Sequence, residues 1–303
     1  MDSDSFPGVT ASIVARDPET GELGVAVFTA WPAVGSVVPF AEPGIGAVAT
    51  QSFVEISFGP RALDLLREGV AATDAVEQLI ASDSKPATRQ LGVLAANGDA
   101  AGFTGESCVP YAGEATGDDC RCQANMMASE GVPETMAEAF DSAEGELAVR
   151  LLISLEAGQA AGGDARGRIS AALLVVPSDG ERWRRSVDLR VDYSDDPLPE
   201  LSRALRLHRA FTLLDLAEER GTAGDTEGAM EAGMEAVGLS DENPQVLLWL
   251  GLGAAQDDLE VGLNLVKRAL ELQPSLAEFL DRLTDEIAPS VATVRKRLGA
   301  EPS

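Results

Sequence analysis

Between residues 10 and 60, short apolar runs alternate with turn signals: TASIVAR, then DPETGE, LGVAVFTA, SVVPF and GIGAVATQSFV. Runs of this length, rich in Val, Ile and Phe and bounded by Gly, Pro and Asp, predict strands. Asp17-Pro18 and Gly21 supply the fixed and the permissive φ of a hairpin connection, so the chain opens with a strand pair. From Pro60 the period lengthens to that of a helix, with Leu63, Leu65, Leu66 and Val70 apolar, Arg61, Asp64, Arg67 and Glu68 polar, and a stop at Gly69. A second helix is expected over about 73–81, with Thr73 as its N-cap. RQLGVLAANGDAAGFTG reads as a hairpin turning at Asn97-Gly98, 105–124 as an irregular Gly/Cys stretch, about 133–160 as an amphipathic helical region of more than one helix, and GRISAALLVVP and SVDLRVDY as strands. This order predicts an α+β layered domain.

After Pro199 the pattern is helical throughout, which places a domain boundary in SDDPLPE, near 195–200. Asp225 and Asp258, Ala236 and Ala269, and Leu239 and Leu272 are each 33 positions apart. That is close to the ~34-residue period of tetratricopeptide repeats. Small residues at Ala229, Ala236, Gly262 and Ala269 suit close helix packing. About two periods fit, so a plain helical bundle accounts for the same pattern. Three segments are expected: an extension over 1–9, a mixed domain over 10–197 and an all-α helical-repeat domain over 198–303.

Composition narrows the function. Fifty acidic residues against 23 basic ones give −27. A field of that sign repels phosphate backbones and anionic membranes, so neither nucleic acid nor membrane is an expected partner. The only lysines are Lys85, Lys267 and Lys296, and abundant acid with little Lys resembles the proteins of salt-in halophiles, as well as ordinary acidic bacterial proteins. No run of about 18 uncharged apolar residues and no basic-then-apolar start is present, so a cytoplasmic protein is expected. Cys108, Cys120 and Cys122 are an odd number in one segment and do not make a disulfide framework. CxC with His208 as the single histidine lacks a second ligand pair for zinc, and a Ser-His-Asp triad would have to recruit His208 from the helical region. Neither GxxxxGK[ST] nor a GxGxxG between strand and helix occurs, and no cofactor is expected.

TASIVARDPETGELGVAVFTAWPAVGSVVPFAEPGIGAVATQSFVEISFGPRALDLL, RQLGVLAANGDAAGFTG, QANMMAS, EAGQAAGGDARGRISAALLVV and VDLRVDYSDDPLPEL together resemble the DUF1028 family over about residues 10–200. The resemblance implies the N-terminal-nucleophile hydrolase fold, a four-layer αββα sandwich, and more distantly the opening of a proteasome β subunit. Such enzymes attack a carbonyl with the side chain of a terminal Thr, Ser or Cys whose own α-amine, with a pKa of roughly 7.7–8.0, takes the proton. The expected substrate is therefore a small linear or cyclic amide.

Thr10 aligns with the family's leading Thr, although it is equally an ordinary strand residue. Nine residues precede it. It becomes a terminus by removal of MDSDSFPGV, or by translation from Val9 followed by methionine removal. Asp17 matches the position of an orienting carboxylate in proteasome-like sites, and is equally turn chemistry. Asn125 can donate to an oxyanion with backbone N–H groups or cap a turn. Gln51 and Ser52, at the end of a Gly-rich strand, are pocket candidates. Asp164, Arg166 and Arg168 form a polar island in which the arginines either clamp a substrate carboxylate or pair with Asp164. Two positions depart from the family: Thr29-Ala30-Trp31 stands where Ser-Lys is usual, and Ile169 where Gln is usual. These departures suit a non-catalytic adaptor that holds a ligand in the αββα pocket and a protein or peptide on the repeats. The apolar strands suit a homodimer.

Overall fold

TASIVAR and LGVAVFT are rich in Ala, Val, Ile and Phe, and in the computed structural model, which describes residues 7–8 and 10–299, they form the central strands of a sheet. The strands are β1 (Pro7–Gly8), β2 (Thr10–Arg16), β3 (Leu23–Thr29), β4 (Pro39–Glu42), β5 (Gly46–Phe53), β6 (Arg89–Ala95), β7 (Ala100–Thr104), β8 (Gly113–Thr116), β9 (Cys120–Asn125), β10 (Ser170–Val176) and β11 (Val187–Val191). One antiparallel sheet runs β11-β10-β3-β2-β9-β8. The other runs β1-β5-β6-β7, with β4 and β1 pairing different stretches of β5.

Helices α1 (Phe58–Arg67), α2 (Ala72–Ala81), α3 (Val132–Ser142) and α4 (Leu147–Ala160) complete the layers, and α5 (Pro197–Thr222) follows. The period of 2 along each strand decides which layer a side chain joins. Ala11, Ile13 and Ala15 of β2 pack with Met136 and Phe140 of α3 and Leu151 and Leu155 of α4. Val14, Val25 and Val27 instead meet Ala47, Ala49 and Leu94 of the second sheet. Val48, Leu91 and Val93 pack under Phe58 and Leu63 of α1 and Val76 and Leu79 of α2. Burying each Val, Leu or Phe stabilises by about 1.5–3 kcal/mol, which holds the sheets together without a disulfide.

Three expectations need correction. Helix α2 starts at Ala72 and its N-cap is Ala71, not Thr73; the Asp99 carboxylate accepts from the Ala72 N–H at 2.7 Å, so the helix start is satisfied from the β6–β7 turn. The stretch 105–124 is not irregular throughout, because it holds β8 and most of β9. SVVPF is strand only from Pro39, where β4 begins, because its Ser36 ends a 3-10 turn over Val34–Ser36.

The chain divides into two compact units, 1–205 and 206–303, and the division falls inside α5. The second unit continues with α6 (Thr226–Leu239), α7 (Pro244–Ala254), α8 (Leu259–Leu272), α9 (Leu276–Arg282) and α10 (Val291–Leu298). Asp225 and Asp258, 33 positions apart, are both N-caps. Asp225 accepts from the Gly228 N–H at 2.9 Å, and Asp258 from Glu260 and Val261 at 3.0 and 3.1 Å. A Cβ on Gly251 or Gly262 would crowd the facing backbone, which is how α7 and α8 come close. Among the described residues, no helix is long and apolar enough to cross a membrane.

Candidate functional site

The alternation that sends Val14 into the gap between the sheets sends Thr10 and Ser12 there too. They join Thr29, Gln51, Gln90, Gln123, Asn125 and Ser170 in a polar seam, none more than 2% exposed. In register, Thr10 lies between Thr29 and Asn125, and Ser170 stands on the other side of Thr29. Buried polar groups must find partners, and here a glutamine provides them. The Gln90 Oε1 accepts from Gln51 Nε2 and Asn125 Nδ2, both at 2.8 Å. Gln90 Nε2 donates to Thr104 Oγ1 at 3.0 Å and to the carbonyls of Gly113 and Ala124 at 3.1 and 2.9 Å. Ser12 donates to Gln123 Oε1 at 3.1 Å, and the Gln123 amide fills space that any Cβ on Gly92 would take.

Thr10 sits within this seam, with its Oγ1 3.4 Å from Thr29 Oγ1. The Thr10 carbonyl accepts from Gln51 Nε2 at 3.1 Å and from Asn125 Nδ2 at 3.5 Å. The N–H groups of Asn125 therefore turn to Gln90 and Thr10, and its oxygen is buried without a protein partner. Gln51 Oε1 and Gln123 Nε2 are also buried without a protein partner. Each such atom costs about 1–3 kcal/mol unless a polar guest meets it. On the far side of the gap, Pro7 and Gly8 pair with Phe53 and Ser52, so only residue 9 separates a strand of one sheet from Thr10 in the other.

The polar island approaches from the β3 end. Asp164 Oδ2 accepts from the Ala30 N–H at 2.9 Å, and Oδ1 from the Arg166 N–H at 2.8 Å. Because Ala30 follows Thr29, Asp164 fixes the strand end that faces Thr10. Burial pushes the Asp164 carboxyl up, against the pull of the hydrogen bonds and of the Arg166 charge. The Arg166 side chain is 42% exposed and lies 3.6 Å from Asp164, whereas Arg168 is committed to Asp196 at 2.5 Å.

Not every candidate gathers here. Asp17 is half-buried in the β2–β3 turn, accepting from Glu19 and Thr20 N–H groups at 2.8 and 3.3 Å, one full strand and so about 20 Å from Thr10. Ser52, at φ 68°, hydrogen-bonds the Cys108 thiol, which burial pushes up. Cys122 is raised too, by burial first, so neither thiol is a ready thiolate. His208 belongs to the second unit. Among the described residues, no group of three or more His, Cys, Asp or Glu is placed to hold a metal ion. Sequence reasoning missed Gln90, Gln123, Ser12 and Thr29. The available signal was a Gln inside an apolar strand run, in RQLGVLA and CRCQAN.

The profile of the family of unknown function DUF1028 matches residues 10–201. Among solved structures, protein SPO2555 from Silicibacter pomeroyi, of DUF1028, is 34% identical with a TM-score of 0.61, over 65% of this chain and 85% of that one. The ancestral β-subunit Anbu from Yersinia bercovieri aligns over 64% of this chain and 92% of its own, at 13% identity and a TM-score of 0.31. No curated protein matches the chain. With its two-sheet core and seam lying inside the matched span, the chain belongs to the DUF1028 family.

Proposed function

We propose that the first unit is an amidohydrolase of the N-terminal-nucleophile type acting on a small linear or cyclic amide, with Thr10 as nucleophile. One observation carries the reading: Thr10 opens a central strand with its hydroxyl in the gap between two helix-backed sheets, beside Thr29 at 3.4 Å. Freed of the preceding residues, Thr10 has an α-amine to take the Oγ1 proton as Oγ1 bonds the amide carbon. The C–N bond then breaks, the proton passes to the leaving amine, and water releases the acyl group from Oγ1. Gln51 and Asn125 act as positioning residues through the Thr10 carbonyl. Arg166, more exposed than Arg168, receives an acidic group of the substrate.

A second reading follows from the pairing of β1 with β5. If the native chain keeps residues 7–8 there, Thr10 has no free amine, and the unit is a ligand-binding domain whose tetratricopeptide-like tail takes a protein or peptide. Intact mass and N-terminal sequencing of protein from its native host separate the two. A chain beginning at Thr10, with amide hydrolysis abolished in Thr10→Ala and kept in Thr10→Ser, supports the hydrolase. A retained Met1 or Asp2 ends it.

A further inference from the structure

We propose a second ligand site, independent of Thr10, that takes an amphipathic organic anion: a compact apolar body carrying one carboxylate. It is a cavity of about 320 Å³ formed where the β10–β11 connection passes over β4 and α1. That volume is at the lower end of the range of small-molecule pockets. Leu174 in its wall is opposite Val25 in register, four residues from the Ser170–Thr29 pair, so it lies roughly 13 Å from the seam along the strands.

The walls divide into two parts. Phe40, Leu63, Leu174 and Trp183 supply the apolar surface. The Phe40 ring lies flat on α1 because residue 59 is glycine, where any Cβ would collide with it. Trp183 is 75% exposed, an unusual state for a large aromatic ring, and covering it releases water from that surface.

The charges favour an anion. Glu42 is the acidic residue of the lining and is already neutralised by Arg67 at 2.5 Å and Arg182 at 3.0 Å, while Asp64 takes the other arm of Arg67 at 2.5 Å. Arg185 faces the same cavity and, among the described residues, pairs with no carboxylate, in a chain with fifty acidic residues. Its Nη1 is fixed on the carbonyls of Arg182 and Arg184 at 2.8 and 2.9 Å, which leaves the remaining N–H groups of a held guanidinium for a carboxylate.

The test is calorimetric titration of the full chain with 2-naphthoate and with its neutral counterpart, 2-naphthalenemethanol. One naphthoate binds per chain, at least about tenfold more tightly than the alcohol. Arg185→Gln removes that preference while leaving the weak alcohol binding, and Trp183→Ala weakens both. Far-UV circular dichroism verifies that these exposed substitutions leave the fold intact. Equal affinity for the two probes, naphthoate binding unchanged in Arg185→Gln, or no saturable binding at millimolar naphthoate overturns the proposal. None of these outcomes depends on whether Thr10 is a nucleophile.

Discussion

Gln90 accepts two buried N–H groups and donates to three oxygens across the sheet gap, so its removal strands partners on both sheets. Gln90→Leu keeps the volume and loses every one of those bonds. It should cost about 3 kcal/mol or more in urea unfolding followed by far-UV circular dichroism, and a loss under 1 kcal/mol would show that the seam contributes little. Asp164→Ala leaves the Ala30 N–H without an acceptor and should cost about 1–3 kcal/mol. The buried pair of Asp83 with Arg89 sets an acid limit. Their hydrogen bond, at 2.5 Å, holds the Asp83 carboxyl below its ordinary 3.8. Since the folded-state pKa lies below the unfolded one, the pair stabilises the fold above about pH 4, and this contribution fades as pH falls through the lowered value. Asp83→Asn should therefore flatten the acid limb of a stability–pH curve, and an unchanged limb would refute the assignment.

Among the elements, caps show what sequence spacing can and cannot reveal. Asp225 and Asp258 stand out through their 33-residue interval, and both accept from the first turn of their own helix. Asp225→Ala and Asp258→Ala should each cost about 1 kcal/mol, read as a lower thermal midpoint of the helical signal. Thr73→Ala should be near neutral and Asp99→Ala should destabilise α2, because the acceptor for Ala72 comes from a turn 27 positions away. No local pattern carries that information. The strands TASIVAR, LGVAVFT and SAALLVV were legible because they are short runs rich in Val, Ile, Leu and Phe bounded by turn signals. Strand β9 was not, since its inward face carries Arg121, Gln123 and Asn125, and the partners of Gln123 and Asn125 sit on strands distant in sequence. The same reason hid much of the seam: Thr10 could be named from a resemblance, and Gln51 and Asn125 from their places at a strand end and beside a loop, while Gln90 and Gln123 acquire meaning only once two sheets face each other.

For the whole molecule, a net charge of −27 means that carboxylates repel one another throughout the folded chain. Raising NaCl from about 0.1 M to 1 M shortens the screening length from about 10 Å to 3 Å, so the thermal midpoint should rise by several degrees. A fall would mean that ion pairs such as Arg89–Asp83 outweigh the general repulsion. Helix α5 carries a different lesson. Leu198, Leu201 and Leu205 belong to the first core, while Leu207, Ala210 and Leu214 pack in the second unit. The family match stops at 201, one helical turn before Leu205, which is only 2% exposed. The span shared with relatives and the span that closes the core are thus different objects. A piece excised at 201 would carry every residue of the seam and still lack a buried leucine of the core that α3 and α4 form against the first sheet, a loss on the order of 2–5 kcal/mol.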